Sequence, residues 1–273
     1  MPIGRTAIVN DDSTGTTGTI LDNAWKQELY DQIDAVSSGV IQTTTATGTQ
    51  NDFALTTSTG FLRCNNATLL TLTGLATGVD GQRLVIVSIG AGQVDLSHQD
   101  AGSTAANRLI NLVTVGKTSL APGSGTATLV FDGTTQRWRL VAHAQGAWLT
   151  RAFAAGNYTG SGSMTWTVDA GDVVLERYLL SGRTLTVFCR ITTTTVGGTP
   201  STALQVLIPG GYSAVTLGET VAPISDNGGA TAAGRALINA SVIQVFKDFT
   251  STANWAAATN TTSVFFTISF EVI

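Results

Sequence analysis

Two histidines and a few carboxylates are the side chains in this sequence best suited to acid–base chemistry. His98 lies in the segment DLSHQDAGS, between Asp95 and Asp100. A histidine beside carboxylates is a candidate catalytic base or receptor contact. The same polar groups also satisfy the backbone of a long strand-connecting loop, and we favour that interpretation. His143 follows an apolar strand-like run, and the sequence identifies no second partner for it.

The densest carboxylate set in the β-rich part of the chain is Asp169, Asp172 and Glu176. A pair of carboxylates can cleave a glycosidic bond, which makes a glycan-cleaving enzyme one hypothesis. However, Asp169 and Asp172 flank a glycine turn, whereas Glu176 belongs to the strand that follows. The sequence also contains neither a Gly-x-Ser-x-Gly nucleophile elbow nor a phosphate-binding loop ending in Gly-Lys-Ser/Thr. We therefore expect no enzyme and assign no catalytic residue.

Cys64 and Cys189 are the only cysteines, and each lies in an apolar strand-like run. We predict two buried free thiols, because a disulfide between them is disfavoured in a reducing compartment. Two cysteines and two histidines at these spacings do not supply a zinc site. The sequence therefore predicts no metal and no cofactor.

The aromatic residues fall into two groups. One group lies within strand patterns and is predicted to be core: Phe131, Trp138, Phe188, Phe265, Phe266 and Phe270. The other lies beside Gly, Ala or Asn in turn-like contexts: Trp148, Tyr158, Tyr212 and Trp255. Exposed rings of this kind can stack on sugars, so these four and His98 are candidate receptor or interface contacts. Burial in the core or in an interface is the alternative that we favour for each ring.

The composition predicts a β-rich protein with a weakly charged surface. Apolar residues make up 43% of the chain and charged residues only 12%, while 30 Gly and many Thr supply turns and strands. With 14 Lys+Arg and a net charge of −4, no basic stripe suited to nucleic acid is present. The sequence contains neither a membrane-spanning run nor a secretory signal, so we expect folding in a cytoplasm.

Residues 1–40 are predicted to be an N-terminal arm with one amphipathic helix over residues 19–36. The helix has a capping-box-like start at Thr19 and Asp22. Its apolar face carries five residues at helical spacing: Leu21, Trp25, Leu29, Ile33 and Val36. A helix of about four turns needs a partner surface. Self-association or docking on another protein is the favoured use of this face, and packing on the β-rich part of the same chain is the alternative.

The rest of the chain is predicted to form two β-domains, residues 41–148 and residues 149–273. Short apolar segments recur every 10–15 residues between Gly-rich turns, which is typical of an antiparallel β-sandwich or roll. Residues 41–53 are predicted to be a polar connector. Residues 223–234 are predicted to be the longest loop, and the final apolar run is predicted to be a central strand. The fold class is therefore all-β, with a short N-terminal helix.

Two stretches resemble proteins of tailed-bacteriophage virions. The segment GLATGVDGQRLVIVSIGAGQVDLSHQDAGSTAANRLI, followed by LVFDGTTQRWRLVAH, looks like a module of tail-fibre and minor structural proteins. The opening IVNDDSTGTTGTILDNAWKQELYDQID also resembles the start of such proteins, and together these stretches cover about half of the chain. The resemblance implies a non-enzymatic virion protein: a short trimeric fibre or tail-associated appendage that contacts the host surface. The low charge and the amphipathic helix also favour close contact between copies.

The partners that these observations favour are two further copies of the chain, other virion proteins docked through residues 1–40, and a host-surface glycan or receptor. The main alternative is a capsid decoration protein or head fibre bound to the major capsid shell. The glycan-cleaving tailspike is the least favoured alternative. The expected location is the virion, after assembly in the host bacterial cytoplasm.

Overall fold

The computed structural model describes residues 40–56, 59–76, 78–114 and 116–273. Strands dominate these ranges, and no helix in them exceeds three residues. The predicted helix and its apolar face, Leu21, Trp25, Leu29, Ile33 and Val36, lie outside the described residues. Val40, the last residue of the predicted arm, already belongs to the first strand.

The first β-unit contains ten strands in two sheets. They are β1 (Val40–Thr44), β2 (Gly48–Gln50), β3 (Thr59–Cys64), β4 (Leu70–Leu72), β5 (Arg83–Ser88), β6 (Val94–Ser97), β7 (Leu109–Ile110), β8 (Lys117–Leu120), β9 (Thr126–Asp132) and β10 (Arg137–Ala144), with a 3₁₀ turn at Ala105–Asn107. One sheet has the order β1-β3-β5-β9-β10-β7, and the other has the order β2-β4-β6-β8.

The first six strands form a short parallel β-solenoid. Strands β1, β3 and β5 pair in parallel in one sheet, while β2, β4 and β6 pair in parallel in the other. The chain therefore alternates between the sheets and advances by one rung at each passage. The prediction of antiparallel pairing is wrong here, because turn spacing does not show whether the next strand reverses beside its predecessor or crosses to another sheet. The predicted connector, residues 41–53, supplies the first rung.

The second half of this unit is mainly antiparallel. Strand β9 pairs with β5 and β10, and β8 pairs with β6. Alternate residues of these strands fill the space between the two sheets, including Leu62, Leu84 and Leu129. Trp138 is fully buried, and its indole Nε1 donates a 2.9 Å hydrogen bond to the carbonyl oxygen of Leu75. This bond ties the last long strand to the parallel rungs.

The second β-unit contains the remaining strands. They are β11 (Leu149–Thr150), β12 (Tyr158–Gly160), β13 (Met164–Thr167), β14 (Val173–Ser181), β15 (Thr184–Gly198), β16 (Ala203–Leu207), β17 (Glu219–Ser225), β18 (Ala232–Asn239), β19 (Val242–Phe246) and β20 (Ala258–Glu271), with 3₁₀ turns at Ala155–Asn157, Ala170–Asp172 and Pro209–Gly211. All of their pairings are antiparallel, as predicted.

These strands form one curled sheet with the order β11-β14-β15-β20-β17-β18-β19-β16-β12, and β13 pairs with the far half of β15. The predicted central position of the last strand is confirmed, because β20 lies between β15 and β17. The predicted loop over residues 223–234 is shorter than expected. Residues 223–225 complete β17, residues 232–234 begin β18, and only residues 226–231 connect the two strands.

Hydrogen bonds join the two units. The side-chain amide of Gln145 donates to the carbonyl oxygen of Tyr178 at 3.1 Å and accepts from the backbone N–H of Leu180 at 3.0 Å. The hydroxyl of Tyr212 donates to the carbonyl oxygen of Lys117. The junction therefore lies at the end of the curled sheet where β14 finishes and β15 begins.

Candidate functional site on the outer face of the curled sheet

A crevice of about 320 Å³ opens on the outer face of the second unit. Strands β17 and β20 pair through only two residue pairs, Ile224 with Val264 and Ser225 with Ser263. Pro223 precedes Ile224 in β17. It has no N–H, so it cannot donate the next backbone hydrogen bond of the ladder. The crevice lies beside this short ladder, on the outer face of the sheet across β15, β20 and β17.

The lining of the crevice combines aromatic rings, hydroxyl groups and one guanidinium group. Phe188 and Phe265 are half-buried, with ring centroids 5.2 Å apart and planes inclined by 65°. Arg190 is exposed and lies directly across the strand pair from Phe265. The hydroxyl-bearing residues of the lining are Thr192, Ser225, Thr231 and Ser263. The site can therefore contact an apolar surface, several polar groups and one negative charge at the same time.

A β-bulge in β15 shapes one wall of the crevice. The pairing with β20 is interrupted between Ile191 and Thr194, and Thr193 adopts a φ of 59°. This left-handed conformation is costly for a β-branched residue, and such strain is often found at functional sites. The Thr193 hydroxyl donates to Asp172 at 3.0 Å, and its backbone N–H donates to the Ser263 hydroxyl at 3.4 Å. These contacts hold the bulge beside the crevice.

The strand pairing places the crevice away from the junction between the two units. Near the junction, β15 pairs with β14 and β20 through Leu185, which lies opposite Leu180 and Phe270. The crevice residues of β15 follow several positions later, and Ile191 lies opposite Val264. The second unit thus presents the crevice on its distal half.

The predicted carboxylate set does not form an open catalytic pair. Asp169 and Asp172 form a capping box around the turn at residues 170–172. Glu176 is buried, and its two oxygens accept hydrogen bonds from Arg151 at 2.8 Å and from the Tyr158 hydroxyl at 2.5 Å. These three carboxylates are therefore not arranged as an open pair, because the carboxylate of Glu176 is enclosed and engaged.

The contacts of Glu176 instead close the curl of the sheet. Glu176 lies on β14 near one end of the strand order, whereas Tyr158 lies on β12 at the other end. Arg151 adds a second tie, because its guanidinium group also donates to the carbonyl oxygen of Leu207, at the end of β16, at 2.6 Å. Burial, followed by the hydrogen bond to Glu176, raises the pKa of Tyr158 well above the usual range for tyrosine. The phenol therefore remains a donor to the carboxylate.

The two histidines have structural contacts. Nδ1 of His98 accepts a 3.0 Å hydrogen bond from the backbone N–H of Asn111, and the ring is partly buried. Burial lowers the pKa of His98 below its usual value, which favours the neutral ring that this bond requires. Burial also lowers the pKa of His143, whose Nε2 lies 3.4 Å from the carbonyl oxygen of Ser119. These contacts agree with the interpretation that His98 stabilises a loop.

Three of the four candidate aromatic contacts are buried, which excludes them as exposed sugar-stacking rings in this conformation. Tyr158 packs edge-on against Trp166, with centroids 5.7 Å apart. Tyr212 is enclosed at the junction between the units. Trp255 is 1% exposed and donates to the carbonyl oxygen of Val245 at 3.3 Å. Trp148 is the exception, at 39% exposed. The sequence neighbours of these rings are typical of turns. They did not show whether the rings would fold back onto the core.

The core aromatic prediction is confirmed for Phe131, Trp138, Phe266 and Phe270. Phe188 and Phe265 are only half-buried and face the crevice instead. The alternation of β15 could have indicated this, because Val187, Cys189 and Ile191 are buried and the residues between them point to the opposite face. The sequence alone did not show that residues of β15, β17 and β20 would meet on that face and line a crevice.

Cys64 and Cys189 are buried free thiols, as predicted. In the described ranges, no group of three or more His, Cys, Asp or Glu residues is arranged to hold a metal ion. None of the helices in those ranges is long and apolar enough to cross a membrane. The described residues therefore form a β-rich protein with a crevice on its outer face. No family model matches the chain, and no curated protein shows significant similarity to it.

Proposed function

We propose that this chain is a non-enzymatic structural protein of a bacteriophage virion, a short trimeric fibre or tail-associated appendage. The proposal begins from the resemblance of residues 74–110 and 129–143 to virion modules. Both stretches fold into the same β-unit, and their turns touch: the Asp80 carboxylate accepts a 2.8 Å hydrogen bond from the backbone N–H of Gly133. The resembling segments thus behave as one structural module.

The observation that supports self-association is a group of exposed aliphatic side chains just before and within β17. Leu217 is 82% exposed, Val221 is 53% exposed and Val215 is 47% exposed. Removing a side chain of this kind from water contributes about 1.5–3 kcal/mol when burial is complete. Exposed aliphatic side chains this close together along the chain, on a weakly charged surface, favour contact with another protein surface. We propose that these side chains pack against neighbouring copies in the trimer.

Light scattering on the purified full chain tests this proposal. The expected mass is three times 28.2 kDa, and the double substitution Val215→Ser/Leu217→Ser is expected to shift the protein towards monomer. The matched control is Val79→Ser, which replaces another exposed valine, 58% exposed, in the first unit and should leave the mass unchanged. A wild-type monomer at micromolar concentration, or a trimer unaffected by the double substitution, would contradict the assigned interface.

The position of the protein on intact particles tests the virion role. Gold labelling of a tagged chain is expected to mark the tail. Labelling distributed over the capsid shell would instead support a head fibre or decoration protein, which is the main alternative. Absence of the tagged chain from purified particles would contradict both. Release of reducing ends from host polysaccharide by the purified chain would contradict the non-enzymatic assignment.

A further inference from the structure

We infer that the crevice on the outer face of β15, β20 and β17 binds an acidic sugar unit, such as a uronic or sialic acid residue, with Arg190 contacting its carboxylate. The volume of about 320 Å³ lies at the lower end of the range for small-ligand sites. The biological meaning of this site as a receptor contact rests on the proposed virion role. The binding chemistry of the site does not depend on that role, because every group that we invoke belongs to one chain.

The charge of the crevice is the first argument. Arg190 forms no ion pair with any described residue. Its partners on the two neighbouring strands are Leu175 and Phe265, which carry no charge. A guanidinium group in this setting offers a planar set of donors that matches a carboxylate. The crevice therefore favours a ligand with one negative group.

The aromatic rings are the second argument. Phe188 and Phe265 lie side by side in the lining, and both retain exposed surface despite their size. Burying the remaining surface against carbon-bound hydrogens of a ligand is favourable, because it removes apolar area from water. A sugar ring supplies such hydrogens on its faces while it carries polar groups around its edge.

The hydroxyl groups are the third argument. Ser263 and Ser225 lie opposite each other where β17 and β20 last pair, and Thr192 lies beside the strained bulge at Thr193. The Ser225 hydroxyl already donates to the carbonyl oxygen of Gly229 at 2.8 Å, so its oxygen remains able to accept. Several short hydroxyl side chains around an apolar floor suit a ligand with several hydroxyl groups. Together with the cation, they favour an acidic sugar over a purely apolar or a neutral ligand.

The test uses the purified full chain and ligand-observed saturation-transfer NMR. The probes are sodium glucuronate, N-acetylneuraminate and the neutral methyl glucoside, each titrated to obtain a Kd. At least one acidic sugar is expected to bind, and methyl glucoside is expected to bind about tenfold more weakly or not at all, because hydrogen bonds to a charged group are the stronger kind.

Arg190→Gln is expected to weaken binding of the acidic sugar about tenfold or more, and Arg190→Lys is expected to restore part of it. Arg183→Gln is the matched control, because Arg183 is a partly exposed arginine just before the same strand and outside the crevice. Circular dichroism verifies that each variant is folded.

Three results would overturn the inference. They are no binding of either acidic sugar at roughly 10 mM (which fills a site with a Kd of about 1 mM to roughly 90%), equal binding of the neutral glucoside, and unchanged binding by Arg190→Gln. Because these measurements need no virion, failure of sugar binding leaves the proposed structural role untouched. Conversely, sugar binding by a chain that is absent from particles would overturn the virion role and support the crevice.

Discussion

The buried contact between Arg151 and Glu176 gives the sharpest prediction of stability. The side chains are 10% and 2% exposed, and a guanidinium nitrogen lies 2.8 Å from a carboxylate oxygen. At that separation and an effective dielectric constant of about 20, the attraction is about 6 kcal/mol. Desolvation of both groups offsets much of it, so the pair adds little relative to an apolar pair. Removing one partner is different, because the other charge stays buried.

Arg151→Met is therefore expected to lower the free energy of unfolding by about 3–5 kcal/mol. The variant loses the cation beside Glu176 and also the donor to the carbonyl oxygen of Leu207. For a chain of this size, the loss corresponds to a decrease in Tm of roughly 6–20 °C. Differential scanning calorimetry measures it directly, and urea unfolding followed by tryptophan fluorescence gives the free energy.

Two further variants separate the buried charge from general damage. Arg183→Met removes an arginine from an exposed pair with Glu271, whose side chains are 44% and 41% exposed, and should cost less than about 1 kcal/mol. Arg151→Met combined with Glu176→Leu and Tyr158→Phe removes the charges and the unpaired hydroxyl together. This triple variant should recover much of the lost stability. Equal losses in Arg151→Met and Arg183→Met would refute the reasoning, as would a triple variant less stable than Arg151→Met.

Two other predictions concern titratable side chains. Burial raises the pKa of Cys64 to about 12 and raises the pKa of Cys189 well above its usual value. Both thiols should therefore resist Ellman's reagent at pH 8 in the folded protein and react fully in denaturant. Rapid labelling of either thiol without denaturant would show that the core is open. The pKa of His98 is lower in the folded state than in the unfolded state. The contribution of His98 to stability is therefore complete above its unfolded-state pKa of about 6.5, and it is lost as the pH falls through its folded-state pKa. His98→Asn keeps an acceptor for the N–H of Asn111 but does not titrate in this range. The Tm measured from pH 7.5 to 4.5 should therefore fall less in the variant than in the wild type. Identical Tm profiles would contradict this role of His98.

The sequence by itself determined the local character of the chain. Alternating apolar residues and Gly-rich turns predicted most long strands, including β9 and β10, because side-chain alternation and turn chemistry are local properties. The two cysteines could be assigned as buried thiols for the same reason, since each lies within an apolar strand pattern. The last strand was predicted to be central, because apolar side chains dominate its sequence.

Only the tertiary structure decided which strands became neighbours. Strands β1, β3 and β5 are separated by other strands along the chain, and their parallel pairing depends on the path between two sheets, which no local pattern encodes. The position of Glu176 shows the same limit: the sequence placed it near Asp172, whereas the closed curl brings it to Tyr158. The crevice at Arg190 exists because β15, β17 and β20, which are far apart along the chain, lie side by side in the sheet. Pairing across long chain separations arises from packing of the whole core, and so these sites became visible only in the fold.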